Sequence, residues 1–394
     1  FDAAVFNVAT TIPVSPEIDI TRSLTINGLL DGNGGPLITF DGNDANRILR
    51  VSGSVSVLTV SGLAFQRGRL GSSSGSSGGA IRAEVIGTTV IVRNSTFKNN
   101  QVGGYGGAIF AYGGTAYVSD SAFESNHADW DGGAIYAGTA NISNSTFEGN
   151  QAGVRGGAIY VGTTNISNST FEGNHADGDG GAIYAWTTLE ASHLTLFDND
   201  AKQNGAAIYV YNNGNGIIND SLILSSVALV DAPTLCAVGG AGSIGGSYNI
   251  EWVNGADTTS CSNTNNVSGG SGAIGAIVET TLADNGGPTP TLALPAGSPA
   301  IGAADPGGAT SQMLVIDFSS TPVTATWEDA TLDQRGVTRA TTAAERSLGA
   351  FEYKAPPVPT TNAAPIPVLP MPLALLLALG LAGIGFRRLK AAGR

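Results

Sequence analysis

The sequence predicts an all-β fold: a right-handed parallel β-helix (solenoid), a C-terminal β-rich module and a short apolar C-terminal helix. Three observations predict it. Gly-Gly-Ala-Ile stands at 78–81, 106–109, 132–135, 156–159 and 180–183, and Gly-Ala-Ala-Ile at 205–208, so the steps are 28, 26, 24, 24 and 25 residues. A period in the twenties marks stacked units that cannot bury an apolar face alone. Each unit also carries Ser-Thr-Phe-Glu-Gly-Asn or a near copy, and no segment within it has a helical period. Finally, only 12% of residues are charged while glycine reaches 56 copies, which suits a patterned β architecture and excludes a charge-rich disordered chain.

Residues 132–156 give the reading of one rung. Gly132-Gly-Ala-Ile-Tyr-Ala137 is a short β-run, residues 138–140 turn, and residues 141–147 form a second extended run. Residues 148–155 then return the chain to the next Gly-Gly. Ile142 and Phe147 lie five apart, and a straight strand puts only even separations on one face. If both point inward, the chain turns a corner near Asn144. The same offset recurs in Val92/Phe97, Val118/Phe123 and Ile166/Phe171. Rungs about 4.8 Å apart then stack equivalent side chains. Phe97, Phe123, Phe147 and Phe171 form an interior column, and counting back from Asn199 places Leu196, not Phe197, in the next slot. Asn100, Asn126, Asn150, Asn174 and Asn199 form a ladder of side-chain amides. The stretch 18–65 reads as earlier, less regular coils, and residues 71–78 as an inserted Gly/Ser loop.

The candidate chemical residues lie between that asparagine and the next Gly-Gly. His127-Ala-Asp129-Trp-Asp131 alternates with Gln151-Ala-Gly153-Val-Arg155 and His175-Ala-Asp177-Gly-Asp179. Arg155 is expected between two carboxylates, one rung above and one below, as a ladder of alternating sign. The alternative is calcium, for which Asp129, Asp131, Asp177 and Asp179 are the candidate ligands; otherwise no cofactor is indicated. Glu124, Glu148 and Glu172 read as a solvated acidic face. The Asn-Ser-Thr sequences at Asn94, Asn144 and Asn168 read as ladder positions before glycan acceptors. A catalytic pair could come from Asp129/Asp131 or Asp177/Asp179, but residues repeated at fixed period are how packing looks. No catalytic residues are assigned.

Net charge is −13, and four of the 18 basic residues (Arg387, Arg388, Lys390, Arg394) fall in the last eight positions. The rest is therefore more acidic still, which repels phosphate backbones and excludes nucleic acid as a partner. Cys236 and Cys261 are the only cysteines; in an exported protein they are expected to pair. The chain opens at Phe1 with no basic n-region or apolar h-region, so a signal peptide is expected to be absent or cut away, and Phe1 reads as an internal position of a longer precursor.

Gly-Gly-Ala-Ile with Phe147-Glu-Gly-Asn150 and Phe171-Glu-Gly-Asn174 resembles the repeat of the chlamydial polymorphic outer membrane proteins. The opening, Leu24-Thr-Ile-Asn-Gly through Val60-Ser-Gly-Leu-Ala-Phe65, is similar to the lead-in coils of that family. The resemblance implies a surface-exposed right-handed β-helix acting in adhesion. Residues 284–353 resemble the bacterial choice-of-anchor Q module, in Asp284-Asn-Gly-Gly-Pro-Thr-Pro-Thr291, Gly297-Ser-Pro-Ala-Ile301, Asp333-Gln-Arg-Gly336 and Leu348-Gly-Ala-Phe-Glu352. That resemblance implies no catalysis and a C-terminal anchor. An uncharged stretch, 355–386, does follow, with Ile366-Pro367-Val-Leu-Pro370, an apolar run over 373–386, then Arg387, Arg388 and Lys390. It resembles the IPTL- and PEP-type sorting tails of Gram-negative bacteria. A helix over 372–386 would be about 22 Å long, short of a hydrocarbon core of about 30 Å.

The expected organisation is a β-helix over 1–230, with regular repeats at 78–208, and an irregular continuation over 231–283. The anchor module (284–353), a Pro-rich linker (354–370) and an apolar sorting or anchor tail (371–394) follow. The expected function is a non-enzymatic, exported surface protein of a Gram-negative bacterium, at the cell surface or outer membrane or released from it. Its expected partners are cell-surface or extracellular glycans or proteins, the export and sorting machinery, and a membrane through the tail. A carbohydrate-active β-helix enzyme, a polysaccharide lyase or glycoside hydrolase, is the alternative.

Overall fold

The corner that the odd Ile142–Phe147 spacing requires is made at Asn144. Its φ is 50°, and the equivalent Asn94, Asp120, Asn168, His193 and Asp220 have φ between 46° and 53°. Asn, Asp and His tolerate this left-handed region best among residues with a Cβ. The Asn-Ser-Thr sequences are thus corners, and Asn144 Nδ2 donates to Asp120 Oδ1 at 3.2 Å. A second corner falls at Gly149 (φ 59°) and a third at Gly156 (φ 66°). At Gly156 a Cβ would stand 2.2 Å from the Ile159 carbonyl oxygen, so only glycine fits.

The computed structural model describes residues 1–354 except 54–56, 72–74, 212, 230–233, 259, 262–264, 306–311, 341 and 343–344. The expected C-terminal helix and the tail residues Pro367, Pro370, Arg387, Arg388 and Lys390 lie outside the described residues. Among the described residues the chain is all-β, a parallel solenoid of about nine turns with almost no helix. No helix among them is long and apolar enough to cross a membrane. Corners divide the winding into three stacked sheets of 14, 11 and five strands. In one rung these are Ile135–Ser143, Thr146–Glu148 and Gln151–Ala152. Neighbouring rungs pair in parallel, Ile142 opposite Ile166 and Phe147 opposite Phe171.

The core is a spindle of stacked equivalents. Phe97, Phe123, Phe147 and Phe171 are all 0% exposed, with ring centroids 4.7–4.8 Å apart. Phe65 and Phe40 extend the column toward the N-terminus. Leu196 pairs opposite Phe171 and is fully buried. Phe197 packs instead outside the spindle, with Leu292, Leu294 and Leu348.

Beside the rings runs the asparagine ladder. Nδ2 of Asn100, Asn126, Asn150 and Asn174 each donates to Oδ1 of the next asparagine at 2.9 Å, ending at Asn199. The same Oδ1 of Asn126, Asn150, Asn174 and Asn199 also accepts the backbone N–H of the preceding asparagine at 3.0–3.1 Å. Each amide further donates to a phenylalanine carbonyl of the rung before, as Asn150 does to Phe123 at 3.0 Å. A parallel ladder of serines, Ser95, Ser121, Ser145 and Ser169, holds the first corner.

Past residue 230 the winding continues through Cys236–Val238, Ser243–Ser247 and Ile250–Val253. Cys236 is disulfide-bonded to Cys261. Glu251 follows Ile223 in the column position, 1% exposed. Its side-chain oxygens accept from the Cys261 N–H at 2.7 Å and Asn266 Nδ2 at 2.9 Å, so the buried polar group is hydrogen-bonded.

Residues 284–353 lie along the first corner of the solenoid. Gln334 Nε2 donates to Thr146 Oγ1 at 2.8 Å while its Oε1 accepts from Thr170 Oγ1 at 2.8 Å. Arg339 is 2% exposed, pairs with Glu352 at 3.2 Å and donates to Asn168 Oδ1 at 3.0 Å. The Leu314 N–H donates to Ser167 Oγ and the Gly349 N–H to the Asp220 carbonyl. This cover explains why Asn168, His193 and Asp220 are fully buried although they are corner residues.

Two substitutions test the spindle by urea denaturation. Phe147→Ala should cost about 3–5 kcal/mol. Asn150→Ala strands buried partners on both neighbouring rungs and should cost at least about 3 kcal/mol, while the exposed Glu148→Ala should stay within about 0.5 kcal/mol of wild type.

Candidate functional site

The repeat charges sit on the third arc of each rung, and they are engaged with one another. Asp131, 3% exposed, accepts both arms of the Arg155 guanidinium at 3.0 and 3.1 Å. Arg155 was expected between Asp131 and Asp179; Asp179 instead accepts from Asn204 Nδ2 at 2.8 Å. The reason is that Arg155 is also drawn to the aromatic column, its guanidinium 5.2 Å from the centroids of both Tyr160 and Tyr184. Asp129 meets His127 at 3.0 Å, and Asp177 meets His175 at 3.0 Å and Lys202 at 2.6 Å. Among the described residues no group of three or more His, Cys, Asp or Glu side chains could hold a metal ion.

The acidic face divides along its length. Glu124 pairs with Lys98 at 2.5 Å, but Glu172 has a buried Oε2 without a hydrogen-bond partner. It stands in register between Glu148 and Phe197. Burial, reinforced by the Glu148 and Asp198 carboxylates, raises Glu172 from the ordinary 4.5 to about 7. The solvated stripe expected from the sequence therefore ends in a half-buried acid.

What the regular pattern does not account for is a notch at one corner. The arc from Gly-Gly to the following Ala or Val is constant, and so is the arc from the next threonine through phenylalanine and asparagine. All variation in repeat length falls between them. Five residues separate Ala83 from Thr89, three separate Ala111 from Thr115, one separates Ala137 from Thr139, and one separates Val161 from Thr163. Two separate Ala185 from Thr188, and four separate Val210 from Asn215. The corner is therefore short in the middle and long on either side: a saddle with Gly138 and Gly162 as its floor. Glycine is needed there, since a Cβ on Gly162 would lie 2.6 Å from the Gly138 carbonyl oxygen.

The long corners raise apolar walls. On one side stand Tyr112, 53% exposed, and Ile86, 70% exposed; on the other stands Trp186, 4.6 Å from the Tyr211 ring. Along one lip runs an outward aromatic column. Phe110, Tyr136, Tyr160, Tyr184 and Tyr209 stack with centroids 4.9–5.3 Å apart. Burial pushes the Tyr160 and Tyr184 hydroxyls up to about 12, although Arg155 opposes it, so both stay protonated donors. On the arc that follows the corner, Thr115, Thr139, Thr163 and Thr188 stand in register. The open groove between the walls has a volume of about 380 Å³.

Four segments that end at this corner, residues 94–112, 120–138, 144–162 and 168–185, match the Chlamydia polymorphic membrane protein repeat. The rungs carry that repeat. No curated protein and no solved structure matches the chain significantly. The matched segments hold the first corner, the phenylalanine, the ladder asparagine and the Gly-Gly turn, which are the parts that stack. The notch was missed by reasoning from the common repeat, although the uneven steps and the Ile-Tyr pairs of four successive repeats were its signal.

Glu172 supplies a pH test. A carboxyl raised above its unfolded value contributes stability that is complete below about 4.5 and is lost as pH rises through about 7. Glu172→Gln should melt higher than wild type at pH 8, with the difference closing by pH 5. Thermal melts of the two proteins across that range read it directly.

Proposed function

We propose that this chain is an exported, non-enzymatic surface protein of a Gram-negative bacterium, with the solenoid serving as an adhesin-like display rod. One observation carries the reading: the repeated polar residues are committed to the structure. The asparagines and serines bond along the stack, Asp131 and Arg155 pair, and the histidines lie against neighbouring aspartates. A feature that departs from the repeat is a concave aromatic groove without a carboxylate in its lining. That is the profile of a binding surface, since glycoside hydrolysis needs two carboxylates flanking the scissile bond.

The repeat match supports a surface or outer-membrane location. Residues 284–353 act here as an anchor module: Gln334, Arg339 and Glu352, within or beside the motif pieces, form the seam with the solenoid. A load on the tail would therefore reach several rungs at once. The segment 355–394, with Arg387, Arg388 and Lys390 at its end, serves as the sorting or anchoring signal.

Expression of the full chain behind a secretion signal in a Gram-negative host tests the proposal. External protease should remove the solenoid from intact cells, and deleting residues 355–394 should release it into the medium. Retention inside the cell with and without the tail would contradict the reading. Turnover of acidic polysaccharides to new reducing or unsaturated ends would favour the carbohydrate-active alternative.

A further inference from the structure

We infer that the saddle between Tyr112 and Trp186 is a binding site for a short, uncharged oligosaccharide. This deepens the surface-protein reading and rests on it. The lining contains no charged side chain, and Arg155, which reaches the Tyr160 ring, is held by both oxygens of the Asp131 carboxylate. A charged ligand would find no counter-ion there, and the chain's net charge of −13 disfavours acidic polymers generally.

The lining suits a ligand with two kinds of surface. A pyranose presents an apolar C–H face and a rim of hydroxyls. The exposed Tyr112 and half-buried Trp186 rings offer flat apolar surfaces, with Tyr136 and Tyr160 along one lip. Tyr136 and Tyr160, which line the groove one rung apart, each add a hydroxyl. Gly138 and Gly162 make the floor two rungs long, about 10 Å, the length of two linked pyranose rings. The volume of about 380 Å³ falls at the small end of ligand pockets.

A peptide fits less well. Strand addition needs a free edge, yet the rungs bordering the floor are paired on both sides, Ile135–Ser143 with its neighbours above and below and Ile159–Ser167 likewise. An amphipathic helix needs a longer apolar groove than two rungs provide. The remaining match is a neutral glycan held by stacking and hydroxyl contacts.

The test titrates the full chain with a panel of neutral di- and trisaccharides (cellobiose, maltotriose, chitobiose, lactose, mannobiose) and with galacturonic acid trimer. Tryptophan emission and calorimetry are the readouts. At least one neutral sugar should bind with a micromolar to low millimolar Kd, and the acidic trimer should not. Tyr112→Ala and Trp186→Ala should each weaken that binding about tenfold or more, with melting checked for both. Tyr112 is exposed, so its variant keeps the test valid should Trp186→Ala unfold. Absence of binding by every neutral sugar, affinity unchanged in Tyr112→Ala, or preference for the acidic trimer would each overturn the inference. None of these outcomes touches surface display, which protease accessibility reads separately.

Discussion

A buried primary amide has two donors and an acceptor that must all be satisfied, and in this chain each asparagine of the ladder can do so only through the rungs beside it. Asn150 Oδ1 takes both the side-chain and backbone N–H of Asn126, while its own Nδ2 reaches Asn174 and the Phe123 carbonyl. Leaving such groups unpaired in the interior costs about 1–3 kcal/mol each. A register slip of a single residue would strand several at once. The phenylalanine column adds burial and dispersion but tolerates exchange, as Leu196 shows by occupying the same slot. Axial register therefore rests on the amides, and the rings fill the space that the amides define.

That constraint explains where the chain is free to change. Phenylalanine to asparagine is always three residues, and asparagine to Gly-Gly always six, because both ends of those arcs are pinned. The corner between Ala137 and Thr139 and its equivalents hold no ladder residue, so insertions there cost only loop closure. Aromatic residues occupy the insertions on either side, Tyr112 on one and Trp186 on the other. A rigid scaffold with one permissive edge is an economical way to build a recognition surface, since the walls vary while the floor does not.

Much of this could be read from the chain before any coordinates. The odd Ile142–Phe147 spacing demanded a corner, and Asn144 with its left-handed backbone supplies it. The constant distance from asparagine to Gly-Gly placed Leu196 in the spindle ahead of the larger Phe197. Other features depend on packing between segments far apart in sequence. That Glu172 is half-buried goes with its register beside Phe197, and Arg339 is buried between Asn168 of the solenoid and Glu352 of the C-terminal segment, both of which it hydrogen-bonds. Arg155 has the spacing for two carboxylates but pairs with Asp131, with the Tyr160 and Tyr184 rings beside it. The notch escaped notice for a different reason: a consensus describes what repeats, and the notch is built from what does not.

The central claim, that the asparagine ladder fixes register while a single corner absorbs variation, is tested most directly by paired insertions. Two glycines are added after Gly138 in one variant and after Gly149 in another, and thermal unfolding of both is compared with wild type. The account predicts that the first variant melts cooperatively within a few degrees of wild type. The second should lose its cooperative transition, because Phe147 and Asn150 can no longer both reach their slots. Equal tolerance of the two insertions, or equal collapse, would contradict it.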